Sequence, residues 1–414
     1  MKNSIIFHID VNSAYLSWTA ASRLQMGEKI DLREIPSVIG GDTNSRQGIV
    51  LAKSIPAKKY KIETGEPLYK ALEKCKNLKI IPPNYNLFMK CSNALFELVT
   101  EYTPQVQRFS VDECFLDMSH HVNNYMEKAF EIKERIYKEL GFTVNIGISN
   151  NKLLAKMASD FKKPNNIHTL FPNEIKQKMW PLPVEDLFMV GRATTLKLNK
   201  LNIHTIKELA LYDYEILQDT FKSFGKVLHN YANGIENSIV NPNGRVNVKG
   251  LGNSTTISYD VKDREEAHKI LLSLTETTTL RLRKFKSLCG LVSVTIKNND
   301  FFKYSHQQKL VVPTDSTKII YENIKKDFDD CWRGDNIRSL GIRLSELSNN
   351  DFYQSSLLED NNIEKYRNLD KAIDEIRLRY GNDSIIRSTF LHSGIKPLSG
   401  GNGEDDYLMM SSIL

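Results

Sequence analysis

Two adjacent acids interrupt an apolar stretch at Phe109-Ser110-Val111-Asp112-Glu113-Cys114-Phe115-Leu116-Asp117. The runs on either side read as strands and the acids as the bend between them. Neighbouring side chains in a strand point to opposite faces, so Asp112 and Glu113 can converge only at a hairpin bend. Carboxylates held at one point repel each other unless a cation lies between them. A hard divalent ion such as Mg²⁺ suits an all-oxygen ligand set. Alone, an Asp-Glu pair is usually a solvated turn.

A third acid changes the balance. Ile5-Ile6-Phe7-His8-Ile9 has the character of a buried strand and ends at Asp10. Asn12 and Ser13 are N-cap candidates for a helix from about Ala14, with Ala14, Trp18 and Ala21 on one stripe. A strand, an acid and a helix N-terminus together suit a metal-bound phosphate, because unpaired backbone N–H groups face the anion.

Together these segments resemble the active site of Y-family (translesion) DNA polymerases, closest to the bacterial DNA polymerase IV/V group. Asp10-Val11-Asn12-Ser13-Ala14-Tyr15 matches the first motif of that family, and Ser110-Val111-Asp112-Glu113 followed by Leu116-Asp117 matches the second. Gly147 to Asp160, closed by Lys163-Pro164-Asn165, resembles the third block. The resemblance covers roughly residues 1–346 and implies an α+β, multidomain chain. It would have a palm with a ferredoxin-like βαββαβ core over 1–23 and 79–166, small fingers over 24–78, and a helical thumb with a helix-hairpin-helix over 167–236. A linker over 237–252, an α/β little finger over 253–346 and a tail over 347–414 would follow.

The family relation implies template-directed nucleotidyl transfer from dNTPs to a primer 3′-hydroxyl, with low-fidelity synthesis past damaged bases in DNA repair and the SOS response. It implies two Mg²⁺ ions, replaceable by Mn²⁺, held by Asp10, Asp112, Glu113 and the Val11 carbonyl. Asn12, Ser13, Ala14, Tyr15, Lys58 and Lys163 would hold the nucleotide, with Tyr15 as steric gate against the ribose 2′-hydroxyl. The family supplies a Tyr and an Arg from the fingers; here Ile55 and Lys58 stand at those positions, and Arg46 or Tyr60 are the candidates to compensate.

Val190 to Leu198 resembles the helix-hairpin-helix, with Gly191, Arg192 and Thr194 toward a DNA phosphate, although Met189 stands where the pattern has Gly. Arg281 and Lys284 near a helix end, and Lys297 beside a hairpin, are the distal DNA-binding candidates. Gln354-Ser355-Ser356-Leu357-Leu358 resembles the bacterial sliding-clamp peptide, with Gln354, Leu357 and Leu358 as its anchors. Beyond it, Ile363, Tyr366, Leu369, Ile373, Ile376 and Tyr380 recur at helical spacing before Gly381, a helix expected to dock an apolar face on the body or a partner. Residues 397–414 have a disordered composition apart from a short apolar end.

Composition agrees with an ordinary soluble chain: 41% hydrophobic, 26% charged, net charge +6. The tail is acidic, with 7 Lys+Arg against 11 Asp+Glu over 347–414, so the body carries the positive excess expected of a DNA-binding surface. No apolar run approaches a membrane span and no signal pattern leads the chain, and five cysteines lack C-x-x-C spacing. The expectation is a cytoplasmic monomer with reduced thiols and no membrane contact. Two rivals remain at this point: a nucleotidyl cyclase on a related palm, which would need neither the helix-hairpin-helix nor the distal basic domain, and a non-catalytic family member that only binds DNA or the clamp.

Overall fold

A computed structural model describes residues 4–41, 46, 48–242, 248–349 and 363–395. Gln354, Leu357, Leu358 and residues 397–414 lie outside the described residues. The chain divides into two compact units, 4–41 with 49–242, and 248–395.

In the first unit β1 (Ile6–Val11) runs into α1 (Ala14–Gln25). A small three-stranded sheet follows: β2 (Ser37–Gly40) pairs antiparallel with β3 (Val50–Lys53), which leads through α2 (Ile55–Lys59) and α3 (Leu68–Lys74) to β4 (Lys79–Ile81), parallel to β2. Then come α4 (Tyr85–Thr100), the hairpin of β5 (Val106–Arg108) and β6 (Glu113–Asp117), α5 (Tyr125–Arg135), β7 (Val144–Ser149), α6 (Lys152–Asp160) and β8 (Ile167–Thr169). The main sheet has the order β5-β6-β1-β7-β8, so the strand ending in Asp10 is its middle strand.

Local chemistry sets these boundaries. Asn84 caps α4 by accepting from the Leu87 N–H at 3.1 Å, which starts that helix at Tyr85. Asn151 caps α6 in the same way through the Leu154 N–H at 2.8 Å. Gly147 lets α6 lie directly on β7, since a Cβ there would sit 1.9 Å from the Ala155 carbonyl oxygen. The palm sheet runs past 166, because β8 pairs parallel with β7 through Ile146 and Ile167. Four short helices, α7 (Arg192–Lys200), α8 (Ile206–Leu211), α9 (Tyr214–Phe221) and α10 (Ser223–Ala232), close over a separate core that includes Leu198, Ile206, Leu217 and Leu228.

The second unit is β9 (Gly250–Val261), α11 (Arg264–Lys284), β10 (Ser287–Asn298), β11 (Lys303–Thr314), α12 (Thr317–Cys331), β12 (Ile337–Asn349) and α13 (Ile363–Tyr380). Its sheet has the order β11-β10-β12-β9 and is antiparallel throughout. β9 begins at Gly250, inside the segment expected to be linker, because it pairs with β12 from Ser345 onward. Both long helices cover one face, burying Val292, Val294, Ile296, Leu340 and Leu344 against Leu271, Leu274, Ile320, Ile324 and Phe328. Strand alternation leaves the other face to Ser293, Thr295 and Lys297, with Ser339 and Arg343 paired beside them.

α13 docks on the same unit, but by a stripe turned partway round the helix from the one expected, with Tyr366 and Ile373 left half-buried at its edge. Leu369, Ile376 and Tyr380 are exposed, whereas Asp370, Asp374 and Arg377 are buried. The reason is complementary charge. Arg283 Nε lies 2.5 Å from Asp374, Arg367 Nε lies 2.7 Å from Asp315, and Arg377 and Arg387 both reach the buried Glu276 at 3.4 and 2.5 Å. Asp370 also accepts from the Thr317 N–H at 2.7 Å, capping α12. Among the described residues no helix is long and apolar enough to cross a membrane.

Candidate active site

The hairpin bend carries the acids as its sequence requires. β1 and β6 pair so that Asp10 stands opposite Glu113, and the Val11 N–H donates to the Asp112 carbonyl at 3.1 Å. The N–H groups of Phe109 and Ser110 both donate to the Glu113 carbonyl at 3.0 Å, closing the bend. The Ser110 hydroxyl donates to the Asp112 carboxylate, and the Ser92 hydroxyl holds the Val111 carbonyl. Three acids that are a hundred residues apart in sequence therefore meet at one end of two paired strands.

That meeting is electrostatically costly. Burial pushes the Asp10 carboxyl up to about 6, Lys163 opposes this, and the neighbouring charge of Glu113 adds to it. Burial also raises Asp112, which a hydrogen bond from Ser110 opposes and the charge of Asp10 reinforces. Two lysines answer the excess charge. Lys163 Nζ lies 2.7 Å from Asp10 and 2.8 Å from Asp160, and Lys156 Nζ lies 2.6 Å from Glu113 Oε1. Lys156 is also held over the rings of Phe109 and Phe188, at 5.3 and 5.5 Å from their centroids.

These residues suit divalent ions by chemistry. The donors are all hard oxygens, their negative charge exceeds what two lysines offset, and a cavity of about 320 Å³ lined by Asp10, Val11, Ser13, Tyr15, Lys58 and Asp112 opens beside them. Among the described residues no three acid, histidine or cysteine side chains are gathered so as to hold a metal ion by themselves, and Asp10 and Glu113 are each paired with a lysine.

The impB/mucB/samB family profile matches residues 9–160, and the profile of that family's C-terminal domain matches 248–357. The "DNA polymerase IV" of Clostridium acetobutylicum is 48% identical over 391 residues, 94% of this chain and 98% of the relative. "DNA polymerase IV 1" of Bacillus subtilis is 32% identical, with 98% of each chain covered. The chain belongs to the Y family of DNA polymerases. Its reaction is template-directed DNA synthesis of the translesion kind. Among solved structures, a Y-family DNA polymerase chimera matches with a TM-score of 0.71 at 21% identity, covering 84% of this chain and 100% of that one. DinB from Sulfolobus solfataricus matches with a TM-score of 0.55 at 20% identity, over 82% of this chain and 98% of that one. Both likenesses concern the fold.

Around the acids of this polymerase, the first motif is held from three sides. Ser13 occupies the N-cap of α1 in the left-handed region at φ 48°, with no side-chain cap bond. Asn12 caps nothing: its amide donates to Asn145 at 3.1 Å and its Oδ1 accepts the Asn165 N–H at 2.8 Å, tying β1 to the Lys163-Pro164-Asn165 turn. The Tyr15 ring stacks on Phe88 at 4.4 Å and lines the larger cavity with Asp10 and Asp112. A second cavity of about 230 Å³ is lined by Ser13, Arg33, Ile55, Lys58 and Lys163. Arg33, which the sequence did not single out, is fixed by Asp31 at 2.8 Å and by the Gly141 carbonyl at 2.8 Å. Tyr60 lines neither cavity.

In the thumb, Met189 takes φ 75°, in the left-handed region that Gly reaches most readily, in the turn before α7. Gly191 and Arg192 are exposed at the start of α7, with Thr194 half-buried one turn in. In the little finger Lys297 lies on the open sheet face, whereas Arg281 and Lys284 sit at the C-terminal end of α11, in the helical layer on the covered face. A basic cluster on a helix end carries no signal of which sheet face its helix covers.

Proposed function

We infer that Asp10, Asp112, Glu113 and the Val11 carbonyl hold two divalent ions, Mg²⁺ or Mn²⁺ in its place. When bound, such ions activate the primer 3′-hydroxyl and neutralise the departing pyrophosphate. The observation that carries this reading is the pairing of Asp10 with Glu113, with Asp112 bonded across to Val11 in the same corner.

The remaining residues bind and orient. Lys163 exchanges Asp10 for the triphosphate, and Lys58 with Arg33 completes the cationic lining where Ile55 offers no hydrogen bond. The N–H groups of Ser13, Ala14 and Tyr15, which have no partner within α1, face the same phosphates. The Tyr15 ring, braced by Phe88, occupies the space of a ribose 2′-hydroxyl and so selects deoxynucleotides. Gly191, Arg192 and Thr194 take a phosphate of the primer–template duplex. Gln354, Leu357 and Leu358 tether a monomeric, cytoplasmic enzyme to the sliding clamp.

Primer extension on undamaged and abasic templates, with Asp112→Ala as control, tests this reading. Extension by the wild type and none by the control is expected. Cyclic nucleotide formation from NTP without DNA would favour a cyclase, and DNA binding without any extension would favour a non-catalytic member.

A further inference from the structure

The β10–β11 hairpin ends in a turn that is expensive in three separate ways. Asn298 closes it: its N–H donates to the Phe302 carbonyl at 3.0 Å, and its carbonyl and side chain accept the N–H groups of Phe301 and Phe302 at 3.1 and 2.8 Å. Phe301 takes φ 66°, the left-handed conformation that Gly or Asn adopts at little cost in such turns and that a bulky aromatic rarely adopts. Phe301 and its neighbour Phe302 are 60% and 56% exposed. Lys297 and Lys303 stand directly opposite each other on the two strands, a like-charge pair that opposes hairpin formation.

Basic side chains gather on these rings. Lys297 Nζ lies 4.6 Å and Arg338 Cζ 4.7 Å from the centre of the Phe301 ring. Arg338 is the extra residue of a β-bulge between Ile337 and Ser339, which pair with Asn298 and Lys297 at the end of β10, and this places it beside the turn. Arg333 lies 5.9 Å from Phe302 and 4.9 Å from Tyr304. The acids here are Asp300 in the turn and Asp335, which accepts the Tyr304 hydroxyl at 2.6 Å. Four cations against two acids leave a positive tip around exposed rings.

The cation–π contacts offset part of this cost, yet a Gly at 301 and a neutral residue at 303 would make the same turn without the left-handed strain and the like-charge pair. An anionic ligand with flat apolar faces rewards all three. We propose that this hairpin tip is a stacking site for unpaired bases of single-stranded DNA, with Lys297, Lys303, Arg333 and Arg338 on its phosphates. Duplex DNA is a poor occupant because its base faces are already stacked on one another, whereas an unpaired base offers its face to a ring. The inference rests on the polymerase reading for its choice of nucleic acid.

The test is fluorescence anisotropy of the full chain with labelled oligo(dT) and with a blunt duplex, across salt concentrations. Phe301→Gly should weaken oligo(dT) binding by about tenfold and change duplex binding by less than about twofold. Its salt dependence should keep the wild-type slope, while Lys297→Ala/Lys303→Ala should flatten it. Phe302→Ser, which leaves the turn residue in place, should act in the same direction, and thermal melting of each variant checks that the fold persists. Unchanged oligo(dT) affinity in both Phe variants, or equal losses for single strand and duplex, would overturn the proposal. Wild-type primer extension run alongside separates the outcomes: extension with unchanged tip binding sinks the stacking site alone, and no extension sinks the polymerase reading.

Discussion

Replacing Asp10 by Asn should make the metal-free protein more stable while abolishing synthesis. Burial raises the Asp10 carboxyl from its ordinary 3.8 to about 6 despite the pull of Lys163. The folded state thus binds this proton more tightly than the unfolded chain does. Stability from the group is present in full below pH 3.8 and is lost as pH rises through about 6. The gap of about 2 pH units, at ~1.4 kcal/mol each, places the cost of the charged form at ~3 kcal/mol above pH 6. Asparagine mimics the protonated acid and removes that cost, and Lys163 keeps Asp160 at 2.8 Å, so a gain of ~1–3 kcal/mol is expected. Thermal melting in a chelator measures it: Asp10→Asn should melt higher than wild type at pH 7.5, with the two curves converging toward pH 4. Added Mg²⁺ should raise the wild type much more than the variant. A variant less stable than wild type at pH 7.5 without metal would refute the reasoning.

Tyr15→Ala should raise ribonucleotide incorporation relative to deoxynucleotide by about 10- to 200-fold in single-nucleotide kinetics, the range that pocket shape alone provides. Lys156→Met should lower kcat by about 10- to 100-fold and raise the Mg²⁺ needed for half-maximal extension, with dNTP KM nearly unchanged, because its Nζ steadies Glu113 from 2.6 Å. Asp374→Ala should cost ~2–3 kcal/mol in denaturant unfolding, at or below the usual loss for a broken buried pair, because Arg283 keeps the Asp315 carbonyl at 2.9 Å.

Short-range chemistry made part of this molecule legible. The hairpin of Asp112 and Glu113, the strand into Asp10 and the helix over 363–380 all follow from periodicity and flanking residues. What stayed hidden depends on partners distant in sequence. The buried stripe of α13 is charged because Arg283, Glu276 and Asp315 wait for it, and no pattern within 363–380 announces them. Lys156 was visible only as one residue of the third block, since its bond to Glu113 crosses 43 residues. Met189 stands where the pattern has Gly, and the surrounding structure holds it at φ 75°, in the left-handed region that Gly reaches most readily. The distal basic residues were legible as charge but not as surface, because which sheet face the helices cover is a tertiary property.

The most direct test of the central claim is the anomalous signal of Mn²⁺ in crystals of a ternary complex with primer–template DNA and a non-hydrolysable dNTP analogue. Two peaks are expected in the corner formed by Asp10, Asp112 and Glu113, with Lys163 moved from Asp10 to the triphosphate. Peaks elsewhere, or Lys163 still bonded to Asp10 with no ion beside it, would contradict the account.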